Sequence, residues 1–385
     1  MNNLEKNKFK KLKVAIVADE LQYWGGAQDN ILAFSKVFPN STIYTSIYEE
    51  DVLKKYFQEK EVKATFIQKM PFEKKLRQEY FLFYPLAFKM LNFRKYDLVI
   101  SVSSAFAKFV KPSKGVKHFL YCLTPPRYLW LENRSETNKD KLSFKLYSFF
   151  KPILHSRWRK QDKMAAESAD MIATNSKEVA SRVKSFYNLD AKVLYPPVEM
   201  EYIKFNSRYL DREDWFFYVG RIEKYKGVDL MIEACINARK KVKIAGKGSY
   251  LEELKSLVKD LSGEKYIQFL GYIDDEEKAD LLFKCKALIF PVKDEDFGIV
   301  PIEAGAAGCP VLAFGGGGVL ETVIDGVTGK LFQEYSASCL EEELKKWNSY
   351  NFDAKKCREQ AEKFSFKVFE SKMFRLANEI LKQND

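Results

Sequence analysis

The chain has 385 residues, which is too long for one ordinary domain and suits two. Hydrophobic residues make up 46% and charged residues 30%, so the chain can bury a core, and a disordered polymer is excluded. Residues 1–200 hold 35 Lys and Arg against 21 Asp and Glu, whereas residues 201–385 hold 29 against 32, so the first half carries +14 and the second −3, which together give the net charge of +11.

Short β-branched runs alternate with amphipathic segments along the whole chain. In the first half the predicted strands are 13–18, 41–45, 63–67, 97–102, 116–121 and 170–174, and the predicted helices are 27–37, 72–91, 144–169 and 176–187. In the second half the predicted strands are 215–219, 241–245, 266–270, 286–290 and 310–313, and the predicted helices are 227–239, 249–260, 274–284, 301–308, 319–324 and 365–382. This alternation predicts α/β architecture, with two parallel sheets covered by helices on both faces. The break between them is expected after 193–199, where Pro196 and Pro197 interrupt the pattern.

Composition also bounds the location of the protein. The six cysteines are far apart and form no CxxC pair, which favours a reduced, cytoplasmic setting and no structural metal. Residues 1–13 are basic but lack the apolar stretch of a secretion signal. No run of about 18 apolar residues occurs, so no membrane-spanning helix is expected.

The first informative motif is FFYVGRIEKYKG at 216–227. A predicted strand ends at Gly220, and Arg221 and Lys226 follow before the next helix. Two cations at the carboxyl end of a parallel strand suit a diphosphate, because ligands of open α/β sheets collect at this edge. A strand-end Arg is also often simply solvated, so this motif alone does not decide the function.

The second motif is VKIAGKGSY at 242–250. Gly246 and Gly248 separate a predicted strand from a helix expected to begin near Ser249, and free backbone N–H groups there can face a phosphate. The third glycine of a dinucleotide-binding fingerprint is absent. A tight strand-to-helix turn is therefore the alternative interpretation.

The third motif, at 291–329, is the most specific. Glu295 lies in the loop after a predicted strand and Glu303 lies in the following helix. Glu303 can accept hydrogen bonds from two neighbouring ribose hydroxyls, and Glu295 can do the same for sugar hydroxyls. Gly298 allows close backbone approach to a ligand, and the glycines at 315–318 offer N–H groups to a phosphate or a sugar.

These motifs together resemble the retaining glycosyltransferases of family 4, which have the GT-B fold. The first half agrees through GGAQ at 25–28, YDLVISVSSAFAK at 96–108 and YCLTPPRYLW at 121–130, which resemble bacterial polysaccharide mannosyltransferases. The resemblance implies two doubly wound Rossmann-like domains facing a cleft. Residues 1–198 would bind the acceptor, residues 199–365 would bind a nucleotide sugar, and the helix at 366–385 would cross back onto the first domain.

The resemblance also implies roles for individual residues. Arg221, Lys226 and Glu295 would be catalytic, with the two cations on the diphosphate and Glu295 on the donor sugar. Residues implied to bind the donor are Gly25, Gly26, Gly220, Arg221, Lys226, Gly246, Lys247, Phe297, Gly298, Ile299 and Glu303. Residues implied to bind the acceptor are Gln28, Thr124 and Arg127.

Two positions depart from the pattern of the family. Leu123 stands where a His usually contacts the donor sugar, commonly at its 6-position, and Leu cannot form a hydrogen bond. His118 lies five residues earlier in the same predicted strand, so it faces the other side and cannot substitute. Three explanations are open: the donor sugar has no 6-hydroxyl, as in a pentose or a 6-deoxy sugar; another group positions the sugar; or activity is low or absent. We favour the first. The usual acidic residue of GGAE is Gln28 here.

The resemblance implies a mechanism without a protein nucleophile, in which the leaving phosphate deprotonates the acceptor. No cofactor and no metal are expected, and Asp294-Glu295-Asp296 is interpreted as a coincidental likeness to the DxD motif of metal-dependent transferases. Donors consistent with the motifs are GDP-mannose and related GDP-, UDP- or dTDP-sugars, including 6-deoxy sugars and pentoses.

Basic aromatic stretches at 66–95 and 139–163 suit helices lying in a membrane interface, although core aromatics beside a solvated face are the alternative. We therefore expect a cytoplasmic protein, peripheral on the inner face of the membrane, that glycosylates a lipid-linked or polysaccharide acceptor in cell-surface glycan assembly, for example of lipopolysaccharide.

Three other functions remain open. The first is a UDP-sugar epimerase of the same fold, and the second is a nucleotide-sugar-binding protein with weak activity. The third is a nucleic-acid-binding module that uses the basic half, but no nucleic-acid motif supports it, so no nucleic-acid partner is expected.

Overall fold

The computed structural model describes residues 9, 11–72, 79–131, 142–203 and 212–382, and it describes only the backbone of Glu79 and residues 142–154. The chain divides into two compact units. The first unit contains Met1–Pro196 and Phe369–Asp385, and the second contains Pro197–Val368.

The first unit is built on a parallel sheet of seven strands in the order β3-β2-β1-β4-β5-β6-β7. The strands are β1 (Val14–Ala18), β2 (Thr42–Thr45), β3 (Val62–Ala64), β4 (Leu98–Ser103), β5 (Lys117–Cys122), β6 (Met171–Thr174) and β7 (Lys192–Val193). Every residue of β1, VAIVA, is buried, because helices cover both faces of the sheet.

The helices of the first unit connect these parallel strands. They are α1 (Gly26–Val37), α2 (Glu50–Tyr56), α3 (Tyr84–Lys89), α4 (Arg127–Trp130), α5 (Leu142–Glu167) and α6 (Lys177–Tyr187). Three short 3-10 helices accompany them at Phe66–Lys69, Glu79–Leu82 and Ala107–Phe109.

The second unit contains a parallel sheet of six strands in the order β10-β9-β8-β11-β12-β13. The strands are β8 (Phe216–Val219), β9 (Val242–Ala245), β10 (Ile267–Gly271), β11 (Ala287–Phe290), β12 (Val311–Phe314) and β13 (Gly329–Phe332). In both sheets the strand order reverses beside the first strand, so the neighbouring carboxyl ends form a ligand-binding edge of the kind found in doubly wound folds.

The helices that follow along the chain are α7 (Val228–Asn237), α8 (Leu251–Asp260), α9 (Asp275–Lys284), α10 (Ile299–Ala306), α11 (Val319–Thr322), α12 (Ala337–Lys346), α13 (Ala354–Glu362) and α14 (Phe366–Lys382). Helix α14 begins in the second unit and packs in the first. There the ring of Phe369 lies 5.2 Å from Phe34, and the ring of Phe374 lies 5.1 Å from Phe9. These rings extend the apolar core beneath the seven-stranded sheet.

Several local predictions differ from the structure. The predicted strand 63–67 ends at Ala64, because the Thr65 hydroxyl accepts a hydrogen bond from the Ile67 N–H and starts a 3-10 helix. The predicted helix 72–91 is not continuous. Phe72 has a positive φ of 53°, and α3 starts at Tyr84 with Pro85 in its first turn, where proline is tolerated.

Other predicted features fall partly outside the described residues. Residues 73–78 and 139–141 of the two basic aromatic stretches lie outside them, as do residues 1–8 of the basic N-terminus. Within the described ranges, none of the helices combines the length and the apolar character needed to cross a membrane.

A buried ionic cluster joins α5 to α4, α6 and the 3-10 helix Ala107–Phe109. Lys108 is completely buried and its Nζ lies 2.6 Å from Oδ1 of Asp162, which is also buried. The hydroxyl of Tyr187 donates to Oδ2 of Asp162 at 2.5 Å and accepts from Lys108 at 2.9 Å. Trp130 Nε1 donates to the same Oδ2 at 2.7 Å. Each charge therefore has both a counter-ion and hydrogen bonds.

His118 lies on β5 of the seven-stranded sheet and is buried. Its Nε2 lies 2.7 Å from the Ser101 hydroxyl, whereas its buried Nδ1 has no hydrogen-bond partner among the described residues. Burial lowers the pKa of His118 from 6.5 to about 4, although the charge of Asp170 opposes the shift. The folded protein therefore holds this ring neutral near pH 6, and the ring is not available to a substrate.

Folding stability should consequently fall with acidity through this residue. Between pH 6.5 and pH 4, His118 is protonated in the unfolded chain but stays neutral in the folded chain. This difference alone should lower the free energy of unfolding by about 3 kcal/mol as the pH approaches 4. Urea unfolding at several pH values should show that the free energy of unfolding depends less on pH in His118→Gln than in the wild type. His155→Gln, which alters the other histidine, is the control, and equal pH dependences for the wild type and His118→Gln would contradict the assignment.

Candidate functional site

An ion pair between two predicted site residues marks the carboxyl edge of the second sheet. Nζ of Lys226 lies 2.9 Å from Oε2 of Glu295, and both side chains are about four-fifths buried. Lys226 ends a 3-10 helix after β8, and Glu295 lies in the loop after β11, which is the strand beside β8. Parallel pairing of these strands thus brings together two residues that are 69 positions apart.

Arg221 lies at the same edge with a different environment. It follows Gly220 directly after β8, its side chain is exposed, and its Nη2 donates to the Tyr225 hydroxyl at 3.0 Å. The guanidinium is therefore held near the strand end by a neutral partner. Its charge remains available to an anion.

Gly246 and Gly248 allow two loops to pack against each other. A Cβ at Gly246 would lie 1.9 Å from the carbonyl oxygen of Gly220, and one at Gly248 would lie 2.0 Å from that of Ile222. The Gly246 N–H donates to the carbonyl of Gly271 at 2.7 Å, so it is not the free phosphate donor that the motif suggested. The side chain of Lys247 is exposed and lies 5.5 Å from the ring centroid of Tyr272.

The glycine run at 315–318 supports the loop that carries Glu295. The Gly318 N–H donates to the carbonyl of Glu295 at 2.9 Å, and a Cβ at Gly318 would lie 2.4 Å from Cα of Phe297. The Gly315 N–H donates to the backbone carbonyl of Phe332, and the Gly316 N–H donates to that of Phe314. Three of the four N–H groups expected to face a ligand are therefore used within the protein, and these glycines set the position of the loop.

The residues after Glu295 start helix α10. Gly298 is the N-cap with a left-handed φ of 93°, and Ile299 is the first helical residue. Phe297 is buried, and its ring centroid lies 5.5 Å from that of Phe364. Phe297 therefore anchors the loop to the interior.

Glu303 lies in the middle of α10 and is 8% exposed. Its Oε1 accepts hydrogen bonds from Nζ of Lys278 and from the Tyr202 hydroxyl, both at 2.9 Å. Burial lowers the pKa of Lys278, but the charges of Glu303 and Tyr202 outweigh burial and raise it above its usual range. Burial and the charge of Glu303 likewise raise the pKa of Tyr202, which keeps its proton and donates. Both of these hydrogen bonds end on Oε1, so among the described residues Oε2 is the oxygen left for ligand hydroxyls.

Sequence reasoning did not identify Tyr202 and Lys278 as partners of Glu303. They lie 101 and 25 positions from Glu303, and the run DDEEK at 274–278 is typical of a solvated helix start. The fold brings Lys278 of α9 within hydrogen-bonding distance of Glu303 of α10. A Lys near the start of a predicted helix, where acidic side chains are favoured, was the one weak signal for Lys278.

The predicted residues of the first unit lie on its own sheet edge. Gly25 is the N-cap of α1, Gly26 is its first residue, and the carbonyl of Gly25 accepts from the Gln28 N–H at 2.9 Å. Gln28 is buried, and its Nε2 donates to the carbonyl of Glu20 at 3.1 Å. Gln28 thus fixes the loop that leads into α1.

Thr124 and Arg127 follow β5 at the same edge. Thr124 is 8% exposed, and its hydroxyl has no hydrogen-bond partner among the described residues. Arg127 is the first residue of α4. Leu123 lies one residue beyond the end of β5, and its N–H donates to Ser103 at 2.9 Å. His118 is buried in the core, so it cannot supply the hydrogen bond that a His at position 123 would make.

Asp19 holds this edge together. Its carboxylate accepts hydrogen bonds from the N–H groups of residues 104–107 at 2.6 to 3.0 Å, and from the hydroxyls of Ser103 and Ser104. The loop after β4 is thereby fixed beside the end of β1. Across the parts of the chain that are described, no three His, Cys, Asp or Glu side chains are grouped so that they could hold a metal ion.

Residues 200–364 match the sequence model of the family described as glycosyl transferases group 1. This match covers most of the second unit. The chain is 27% identical over 270 residues to the human alpha-1,3/1,6-mannosyltransferase ALG2, an alignment that covers 62% of this chain and 61% of that protein. It is 27% identical over 210 residues to the D-rhamnosyltransferase WbpZ of Pseudomonas aeruginosa, with 53% of each chain covered.

The fold has solved counterparts. The Anabaena protein HepE in complex with UDP superposes with a TM-score of 0.69 at 17% identity, covering 96% of this chain and all of that chain. The predicted GT-B α/β fold is therefore confirmed, as is the similarity to mannosyltransferases. The chain spans about three fifths of the length of the human mannosyltransferase that it resembles.

Proposed function

We propose that the chain is a retaining glycosyltransferase that moves a sugar from a nucleoside-diphosphate donor to a glycan or lipid-linked acceptor. The observation that carries the proposal is the Lys226–Glu295 pair inside a group 1 glycosyl transferase domain. It joins a cation suited to a phosphate to a carboxylate suited to sugar hydroxyls, at the ligand-binding edge of a parallel sheet.

The donor would be held by three kinds of contact. Arg221 and Lys226 bind the diphosphate, and Lys226 leaves Glu295 for a phosphate oxygen when the donor enters. Glu295 then accepts hydrogen bonds from the sugar. Glu303 accepts from the ribose hydroxyls, while Lys278 and Tyr202 hold its carboxylate in place.

The reaction would proceed on one face of the sugar. The bond between the anomeric carbon and the phosphate oxygen breaks as the acceptor oxygen bonds to the same carbon. The acceptor proton passes to the departing phosphate. Arg221 and Lys226 stabilise the negative charge that develops on that group, so the protein supplies positioning and electrostatics and needs no metal.

The donor sugar would lack a 6-hydroxyl. Leu123 offers no hydrogen bond at the end of β5, so a methyl group or a hydrogen at the sugar terminus fits its chemistry. The similarity to a D-rhamnosyltransferase supports this choice, since rhamnose is a 6-deoxy sugar. The similarity to a mannosyltransferase favours a sugar of manno configuration. Because a structural neighbour binds UDP, both UDP- and GDP-sugars are candidate donors.

The acceptor would be lipid-linked and reached from the cytoplasmic face of the membrane in cell-surface glycan assembly. Support comes from the positive charge of residues 1–200 and from the exposed apolar side chains of the first unit. Gln28, Thr124 and Arg127 are its proposed contacts. The Thr124 hydroxyl, which has no partner within the described ranges, would donate to a sugar oxygen.

A thermal-shift panel of GDP-, UDP- and dTDP-sugars tests the proposal, because a ligand that binds only the folded state raises its melting temperature. We expect one base class to raise it, and a 6-deoxy sugar to exceed its 6-hydroxyl counterpart. Glu303→Gln should weaken binding by about ten-fold or more, since it removes a charged hydrogen-bond acceptor.

Glu276→Gln, which changes an exposed carboxylate on α9, is the matched control and should bind like the wild type. A panel in which no nucleotide sugar raises the melting temperature would count against the whole proposal. Preference for a hexose with its 6-hydroxyl would remove only the assignment based on Leu123. Binding without turnover would favour the nucleotide-sugar-binding protein with weak activity.

A further inference from the structure

Five large apolar side chains stand exposed on one short segment of the first unit. They lie on the 3-10 helix Glu79–Leu82, on α3 and on the residues that flank α3. Their exposed fractions are 38% for Phe81, 58% for Leu82, 45% for Phe83, 52% for Leu86 and 66% for Met90. We call these five residues the apolar ridge.

The ridge is not an exposed part of the core. The opposite face of α3, formed by Tyr84, Pro85, Ala87 and Phe88, is buried against the sheet, and the ring of Tyr84 stacks on Phe106 at 5.0 Å. This segment is therefore anchored through α3, while the five ridge side chains remain exposed. Five exposed apolar side chains within residues 81–90 indicate that a further apolar partner covers them.

Basic residues surround the ridge. Residues 66–95 contain seven Lys or Arg against two Glu. Of these cations, Lys69, Lys89, Arg94 and Lys95 are described and exposed. Such an arrangement matches an anionic lipid surface, where apolar side chains enter below the head groups and Lys and Arg contact phosphates. A second copy of this chain fits poorly, because two basic surfaces would repel.

We propose that the apolar ridge inserts into the interface of an anionic membrane and holds the first unit against it. The inference deepens the proposed function, since it rests on the membrane-linked acceptor and names the surface that reaches it. Phe81 is held from the side by Trp158, whose ring centroid lies 5.3 Å away, so part of the ridge is preformed before contact.

Flotation with vesicles tests the inference, using phosphatidylglycerol mixed with phosphatidylethanolamine, and phosphatidylcholine vesicles for comparison. The wild type should float with the anionic vesicles at low ionic strength. Leu82→Ser/Leu86→Ser should lower the partition coefficient about ten-fold or more, because the change removes apolar insertion and keeps every charge. Leu261→Ser/Leu320→Ser, at exposed leucines of the second unit, is the matched control and should float like the wild type.

Each outcome separates the ridge from the rest of the account. If the ridge variant floats like the wild type, the ridge is not the membrane surface. If the wild type fails to float, or gel filtration shows a dimer that the ridge variant loses, the membrane partner is wrong. The thermal shift caused by a nucleotide sugar should be the same in the ridge variant and the wild type. That readout shows that the variant is folded and keeps the donor-binding proposal separate.

Discussion

Replacing Lys226 by Met should lower kcat/KM for the donor by about 100- to 1,000-fold, the range seen when one preorganised donor to a developing anion is lost. Lys226 is the cation that lies beside Glu295 at the edge where the diphosphate is proposed to bind. Its loss removes charge stabilisation of the leaving group. Release of nucleoside diphosphate from the donor selected in the thermal-shift panel measures the effect.

Two further variants separate the possible causes. Lys224→Met changes an exposed cation of the same 3-10 helix and should leave the rate near that of the wild type. Glu295 loses its counter-ion in Lys226→Met, so repulsion of the donor by that carboxylate could also slow the reaction. If Lys226→Met/Glu295→Gln recovers the rate, repulsion was the cause, and Lys226 has no direct role on the phosphate.

Replacing Asp162 by Ala should lower the free energy of unfolding by about 3 to 5 kcal/mol, because it leaves the charge of Lys108 buried and unpaired. It also removes the acceptor for Tyr187 and Trp130. Urea unfolding of the whole chain measures the effect, with signals assigned to the first unit by its tryptophans.

The control is an exposed pair of the same unit. Lys184→Ala breaks the surface contact with Asp190 and should change stability by about 1 kcal/mol or less. The double variant Lys108→Met/Asp162→Leu should lose less stability than the sum of Lys108→Ala and Asp162→Ala, because no buried charge is left alone. Additive losses would show that the two charges act independently.

Much of the fold could be predicted because both sheets are parallel and buried on both faces. Runs such as VAIVA in β1 are apolar throughout, and their alternation with amphipathic helices defines the architecture. Strands β7 and β13 and helices α2, α4, α12 and α13 were not predicted, although α12 and α13 are amphipathic. The break at Phe72 and Tyr84 depends on a positive φ and on a proline, which a predicted amphipathic pattern does not reveal.

The candidate site was predictable only in part. Sequence patterns identified Lys226, Glu295 and Glu303 individually, because cations and carboxylates after parallel strands are typical of ligand sites. Their partners depend on contacts across the sheet, as Lys278 and Tyr202 show. Glycine is also ambiguous in a sequence. Gly246 and Gly318 were interpreted as ligand donors, yet their N–H groups bond to protein carbonyls, and the close approach of neighbouring backbone is what requires them.

Leu123 remains the position on which the identity of the donor depends. In the structure it directly follows β5, one residue before Thr124, whose hydroxyl has no hydrogen-bond partner in the described part of the chain. Leu123→His should therefore shift preference towards a donor with a 6-hydroxyl while leaving affinity for the nucleoside diphosphate unchanged. The same thermal-shift panel reads both properties.

The most direct test of the central claim is turnover of the donor that the panel selects, followed by NMR of the anomeric proton in the product. The account predicts release of nucleoside diphosphate, product with the anomeric configuration of the donor, and a rate unchanged by a metal chelator. A folded protein that binds the donor and releases no nucleoside diphosphate with any lipid-linked or glycan acceptor would contradict it, as would a product of inverted configuration.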